Sequence, residues 1–333
     1  MNIDNAPEGY AIERITIENP NKKFFILPPK ELIEHRSFNC YVDTDLSFNG
    51  SDNFSDLPDE IRDRIEPFRK FVAKLLLNGR MGYKFNAKSF GILSFNYSRT
   101  GLGELNTLNL EVYESDFFTK QVLHLIYRDL FESGKIEIQS QDDIQAHPLV
   151  KFLLPSLGVN AVVETPDRFI LITKRSARVV NSPFVRYHIS MNEGLSISDY
   201  DSTYKRPSIS ECLKRGLEEE LGIKREFDPI ESFAFYNLFF IKEIGELGIS
   251  AHVKLVDNPI FYADKIPELA PISKDGAFEF EGKPIPVVFG KREIQEFIKN
   301  SFKEAGKTTV DDVWVPHGLY VLMVVCAYKN IFV

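Results

Sequence analysis

The segment at residues 211–223, ECLKRGLEEELGI, constrains the fold more than any other part of the chain. Its leucines recur every four residues, so on a helix they form one apolar stripe that has to be buried. Gly222 follows the last leucine and is the residue type that ends helices in the left-handed conformation. The segment therefore predicts an amphipathic helix that begins near Ser208 or Ser210 and packs against a sheet.

The charged residues of this helix form a second face. Glu211, Arg215 and Glu219 are spaced by four, so we expect Arg215 to bridge both carboxylates. Glu220 projects about 100° further round the helix than Glu219. Two adjacent carboxylates are suitable ligands for one hard cation, and the pattern predicts a metal-binding glutamate helix.

The sequence around this helix predicts the sheet on which it packs. Residues 159–165 and 168–175 form two apolar runs joined by a short turn, which is typical of a hairpin. Further strands are predicted at 186–191, 232–241, 249–256 and 286–289, and further helices at 291–302 and 318–328. This order predicts an α+β fold with a mixed sheet between helices.

The first 150 residues predict a smaller α+β domain of unassigned role. A helix is expected from about Pro58 to Gly79, kinked or split at Pro67, followed by a strand at 106–113. A second helix is expected to be capped by Ser115 and to end near Gly134. A polar stretch at 139–147 then leads to the second domain, so we divide the chain into residues 1–150 and 151–333.

Charge and composition restrict the partners. The net charge of −8 argues against general nucleic-acid binding, which needs a surplus of cations facing phosphates. Residues 168–206 nevertheless hold seven cations against three acids, which suits a small anionic ligand. No secretory signal is evident and the longest apolar runs are too short for a membrane span, so we expect a cytoplasmic protein without membrane contact. A homodimer stays an open alternative.

The glutamate helix resembles the signature of the Nudix hydrolase superfamily, in which an arginine, a glutamate pair and a glycine follow a glycine-containing loop. Six positions match: Arg215, Leu217, Glu219, Glu220, Gly222 and Ile223. The resemblance implies an α/β/α sandwich with a mixed sheet for the second domain. It also implies hydrolysis of a small-molecule diphosphate, such as a nucleoside diphosphate linked to a variable group. The implied cofactor is Mg²⁺ or Mn²⁺, held by Glu219 and Glu220, with Arg215 orienting Glu219.

This chain departs from the signature at two places. Gly216 stands where the family has a glutamate that is commonly a metal ligand, and the spacing from Gly194 to Arg215 is 21 residues rather than fourteen. The first glutamate of the motif is expected at the position of Pro207. These departures are similar to those of a divergent bacterial group with a His-x-Ser-x-Asn-Glu-Gly-Leu stretch before Arg-Gly, which matches residues 188–195 here.

We therefore hypothesise that Glu193 supplies the carboxylate that Gly216 lacks. Other candidates are Glu279 (with Glu281 as its rival) for a metal ligand on a later loop, and Arg175, Arg178 and His188 for substrate binding. Each of these has an alternative as an ordinary loop, surface or packed residue.

Two other functions remain as alternatives. Because of Gly216, a catalytically impaired module that binds and senses a nucleotide-like diphosphate is the main one. An isopentenyl-diphosphate isomerase is a weaker alternative, since no cysteine lies beside the Asn-Glu-Gly stretch.

Overall fold

The computed structural model describes residues 24–27, 46–48, 57–77, 88–100, 105–139, 141–175, 185–201, 206–269, 284–307 and 309–331. The strands within these ranges are β1 (Phe24–Leu27), β2 (Leu46–Phe48), β3 (Lys88–Thr100), β4 (Leu105–Asp116), β5 (Leu157–Glu164), β6 (Phe169–Arg175), β7 (Arg186–Ile189), β8 (Met191–Gly194), β9 (Tyr200–Asp201), β10 (Arg206–Pro207), β11 (Ile230–Ile241), β12 (Glu246–Leu255) and β13 (Ile285–Val288). The α-helices are α1 (Asp59–Leu77), α2 (Phe117–Glu132), α3 (Gln141–Ala146), α4 (Ile209–Leu221), α5 (Lys291–Ala305), α6 (Val310–Val313) and α7 (Pro316–Tyr328).

One mixed sheet forms the centre of the molecule. Its strands run in the order β1-β11-β12-β5-β6-β13, and β5 is parallel to β12 while the other pairs along this path are antiparallel. Strand β8 pairs with the first half of β5, and β7 pairs with the second half of β6. In the predicted hairpin, β5 and β6 pair with each other next to the turn, at Glu164 and Ile170. Further from the turn, β8 pairs with β5 and β7 pairs with β6, so β7 and β8 lie between these two strands.

Helices cover both faces of this sheet. Helix α4 packs on β8 and β5, whereas α7 packs on β7, β12, β5 and β11. Consecutive residues of β8 point to opposite helices, since Glu193 lies against α4 and the Asn192 side chain contacts His317 of α7. The predicted α+β class with a mixed sheet between helices is confirmed.

Helix α7 is apolar on every side because it is enclosed on every side. Its residues from 318 to 326 are all buried, and Tyr328 at its end stacks on Tyr236 of β11 with ring centroids 4.5 Å apart. This packing gives Tyr236 a structural partner inside the protein. No helix in the described part of the chain has the length and apolar character to cross a membrane.

Strands β2, β3 and β4 form a second sheet, ordered β2-β4-β3, and α1 packs on α2. Two details differ from expectation. Helix α1 continues through Pro67 without being split, and α2 is capped by Asp116, whose Oδ1 accepts a hydrogen bond from the Thr119 amide at 2.7 Å, rather than by Ser115.

Several contacts join these elements to the central sheet. The Ile92 amide donates to the Leu154 carbonyl at 2.8 Å, and the Tyr127 hydroxyl donates to the Lys242 carbonyl at 2.8 Å. Strand β1 adds to the sheet beside β11, and one apolar core runs from Leu57 to Cys326. The division near residue 150 stays a prediction.

The ion pair between Lys120 of α2 and Glu246 of β12, 3.0 Å apart, generates a testable pH dependence. Burial alone would raise the pKa of Glu246, but Lys120 together with His124 and His317 outweighs it, and the pKa falls from 4.5 to about 2. The unfolded chain then binds more protons than the folded one, so stability is lost as pH falls from 4.5 through about 2. We expect Glu246→Gln to flatten this acid limb in melting temperatures measured against pH.

Glu231→Gln, which removes an exposed partner of Lys254, is the control that retains the wild-type loss of stability in acid. An acid limb of wild-type slope in Glu246→Gln would contradict the assignment.

Candidate functional site

The candidate site lies where β8 and helix α4 meet. After β8 ends at Gly194, Ser196 caps a 3₁₀ turn at Ile197–Asp199 by accepting from the Ser198 amide, and Asp199 Oδ2 accepts from the Ser196 amide at 2.7 Å. Helix α4 begins at Ile209 with Ser208 as its cap, and Gly222 ends it with a φ of 70°. Both caps agree with the sequence, and the helix places Arg215 against the turn.

The Arg215 guanidinium is the centre of the site. Its Nε and Nη2 donate to the two oxygens of Asp199 at 2.7 and 2.9 Å, and Nη2 also donates to the Gly194 carbonyl at 2.7 Å. Its Nη1 lies 2.9 Å from Glu219 Oε2 and 3.0 Å from Glu193 Oε1. One arginine thus holds three carboxylates that come from β8, the 3₁₀ turn and α4.

The prediction that Arg215 bridges to Glu211 is wrong. Glu211 pairs with Lys214 at 2.7 Å and with Arg225 at 3.1 Å instead. The physical reason is Asp199, which is fully buried and occupies the guanidinium edge by accepting from Nε and Nη2 with its two oxygens.

Burial and charge oppose each other at this cluster. Burial raises the pKa of Glu193, and the adjacent Arg215 lowers it only in part, so the pKa stays above its ordinary value. For Arg215, burial alone would lower the pKa, but Asp199 and Glu193 outweigh it and raise the pKa. The guanidinium therefore stays charged and fixes the position of the carboxylates around it.

Gly216 has a packing reason that the sequence does not reveal. A Cβ at this position would overlap the Met191 sulfur and would lie 3.1 Å from Glu193 Cβ. Residues of β8 thus fill the space that a side chain at 216 would enter, and Glu193 projects from beside that point. The hypothesis that Glu193 takes the place of the missing glutamate agrees with this geometry.

Glu220 lies apart from the Arg215 cluster. Its two carboxylate oxygens accept from the backbone amide of Asn192 at 3.1 and 3.3 Å. Glu219 and Glu220 are therefore neighbours on α4, but one points to Arg215 and the other to the backbone of β8.

The donor set fits Mg²⁺ or Mn²⁺ in kind. Glu193 and Glu219 approach the same guanidinium nitrogen within 3.0 Å, so both carboxylates border one position. No group of three or more His, Cys, Asp or Glu side chains in the described ranges is arranged to hold a metal ion. Mg²⁺ is usually bound by one or two carboxylates together with substrate phosphates and waters, so a two-carboxylate site is of the kind it uses.

The remaining sequence candidates lie elsewhere. Arg175 ends β6 beside Arg186 of β7, on the sheet that carries the site. His188 is buried under α7, with its Nε2 3.1 Å from His317 Nε2, and its substrate role stays a prediction. Arg178 and Glu279 lie outside the described residues.

Asp199 is the site residue that sequence reasoning missed. The first acid of the motif was expected at residue 207, which is proline, whereas the acid that binds Arg215 stands eight positions earlier. The available signal was the Ser-x-x-Asp capping pattern at 196–199 directly after Gly194.

Comparisons with known proteins do not identify a family for this chain. No family model and no curated protein matches the chain. Among solved structures, DR0079 from Deinococcus radiodurans is 12% identical, with coverage of 51% of this chain and 83% of that chain. Its TM-score of 0.30 is too low to carry an argument about either fold or function.

The two acidic partners of Arg215 allow a matched stability test. Asp199 is fully buried, whereas the Glu219 side chain is 43% exposed. We expect Asp199→Asn to cost about 3–5 kcal/mol of unfolding free energy, because the buried Arg215 guanidinium loses the carboxylate that binds it through both oxygens. Glu219→Gln is expected to cost less than about 1 kcal/mol. Urea unfolding of both variants measures the difference. Equal losses of unfolding free energy would contradict the assignment of Asp199 as the main partner of Arg215.

Proposed function

We propose that this chain is a Nudix-type, metal-dependent hydrolase that cleaves the phosphoanhydride of a nucleoside diphosphate linked to a variable group. The observation that carries the proposal is the position of Glu193. It stands beside the place where Gly216 lacks a side chain, and its carboxylate shares Arg215 with Glu219. In this proposal, Glu193 on strand β8 supplies the carboxylate that the family signature has on the helix at the position of Gly216.

In this proposal Glu193 and Glu219 would hold Mg²⁺ or Mn²⁺, with Glu220 as a further ligand. When bound, the ion supplies neutralisation of the phosphate oxygens and a water activated for attack on phosphorus. Glu220 now accepts from the Asn192 amide, so its part depends on exchanging that hydrogen bond for the ion.

The protein residues contribute position and charge. Arg215 is anchored on buried Asp199, so Glu193 and Glu219 keep a fixed separation before any substrate arrives. Arg175, which faces Arg186 across neighbouring strands, brings positive charge to an acidic chain and is our candidate for the substrate phosphates, together with Arg178.

A non-catalytic module that binds and senses the same class of ligand is the alternative. Two observations favour it: Glu220 is engaged by the backbone of β8, and Arg215 neutralises the two carboxylates that border the proposed cation position. The two functions differ in whether a bound diphosphate is turned over.

The decisive experiment is a screen of nucleoside diphosphate derivatives with Mg²⁺ and Mn²⁺, read out as released phosphate or mononucleotide. The hydrolase proposal expects metal-dependent product and a loss of at least about 10²-fold in kcat for Glu193→Gln. Glu226→Gln, which changes a 65% exposed glutamate outside the cluster, is the control with unchanged turnover.

Undiminished turnover in Glu193→Gln would overturn the assigned role of this residue. A rise in melting temperature with a diphosphate, without product from any compound, would instead support the sensing module.

A further inference from the structure

A row of polar side chains crosses the face of the central sheet that α7 covers. Asn237, Ser250, Asn160 and Asn192 occupy neighbouring positions on β11, β12, β5 and β8, each in register with the next. Residues in register on adjacent strands point to the same face, and three strand spacings give this polar row a length of roughly 14 Å.

Helix α7 bonds the two ends of the polar row. At one end the Asn237 amide donates to the Tyr320 hydroxyl at 2.6 Å, and at the other the Asn192 amide lies 3.3 Å from His317 Nε2. The two α7 residues are three positions apart and lie on one side of the helix. The sheet and α7 therefore enclose the middle of the row between them.

The middle of the polar row is buried and contains side-chain oxygens without hydrogen-bond partners. Ser250 is 0% exposed and Asn160 is 2% exposed, yet Ser250 Oγ and Asn160 Oδ1 have no hydrogen-bond partner among the described residues. Asn237 Oδ1 shares this condition. An unsatisfied buried polar group costs stability, and natural proteins keep few of them without a functional reason or a bound molecule.

Space adjoins the row at its β8 end. Gly158 and Gly194 are paired across β5 and β8, two residues along each strand from Asn160 and Asn192. A Cβ at Gly194 would meet no described atom within 4 Å, whereas the atoms nearest to one at Gly158 are the Asn160 amide nitrogen at 3.3 Å, the Asn192 amide oxygen at 3.5 Å and the Leu247 carbonyl oxygen at 3.9 Å. The open position is therefore at Gly194, and the side chains of Asn160 and Asn192 border it.

We propose that the polar row is a binding site for an uncharged ring that carries O–H or N–H donors, a sugar or a nucleobase. Two of the unpartnered atoms are the amide oxygens of Asn160 and Asn237, which accept, and the third is the Ser250 hydroxyl, which can accept or donate. A complementary ligand therefore has to supply hydrogen-bond donors for the amide oxygens. Burial between a sheet and an apolar helix disfavours a charged ligand.

This site rests on the proposed function for its role in the molecule, since it selects the uncharged part of the diphosphate substrate. Asn192, at the end of the polar row, and Glu193, in the Arg215 cluster, are consecutive residues of β8. A substrate that passes the edge of β8 places its ring on the row and its phosphates beside the carboxylates.

The test uses phosphate-free probes on the full chain in EDTA, with melting temperature as the readout. The probes are adenosine, guanosine, cytidine and uridine in one arm, and ribose, glucose and N-acetylglucosamine in the other. We expect at least one probe to stabilise the wild-type protein. Stabilisation by a nucleoside without stabilisation by ribose identifies a nucleobase, and stabilisation by a free sugar identifies a sugar ring. Ser250→Ala is expected to weaken the dissociation constant of that probe about tenfold, the loss of one buried hydrogen bond.

The free protein supplies a second readout. Because Ser250 Oγ is unpartnered, Ser250→Ala is expected to melt at the wild-type temperature or above it without ligand. The matched control is Thr173→Val on β6, where a buried hydroxyl donates to the Ile189 carbonyl at 3.0 Å. This control is expected to melt lower and to keep the full probe response.

Two outcomes overturn the proposal: no probe in either arm stabilises the wild-type protein, or Ser250→Ala responds to the probe as the wild type does. A lower melting temperature of Ser250→Ala with a retained response assigns the oxygens to an internal water. Since the probes carry no phosphate and no metal is present, these results are independent of whether Glu193 supports hydrolysis.

Discussion

The interaction between Arg215 and Asp199 determines how the rest of the site is arranged. The carboxylate is fully buried and meets the guanidinium through both oxygens, so the arginine has one orientation. That orientation leaves Nη1 for Glu193 and Glu219 and directs Nη2 to the Gly194 carbonyl. Strand β8, the 3₁₀ turn and helix α4 are thereby held together by one side chain. Buried ion pairs of this kind specify position more than they add stability.

Packing between β8 and α4 accounts for the unusual glycine in the helix. Glycine costs roughly 1 kcal/mol relative to alanine in a helix interior, so its presence calls for a compensating contact. Met191 and Glu193 supply it, since both reach the position where a side chain at 216 would begin. The close approach of strand and helix, and the position of Glu193 beside Glu219, are two consequences of the same absent Cβ.

Local patterns in the sequence predicted many of the elements but not their contacts, and they missed β3 and the short helix α3 at Gln141–Ala146. The leucine repeat and Gly222 predicted α4 correctly, because helix periodicity and a left-handed cap depend on near neighbours. Asp199 was missed because it is 16 residues from Arg215, across a loop whose path no local pattern defines. The partner of Glu220 is a backbone amide, which carries no sequence signal at all. The polar row depends on register between strands some 90 residues apart, and such pairing follows from the complete fold.

The central claim is that Glu193 replaces the carboxylate absent at Gly216, and diffraction from crystals soaked in Mn²⁺ tests it most directly. The account predicts an anomalous peak about 2.1 Å from carboxylate oxygens of both Glu193 and Glu219, the bond length of a small octahedral cation. A peak bounded by Glu219 and Glu220, with Glu193 still on Arg215, would contradict it.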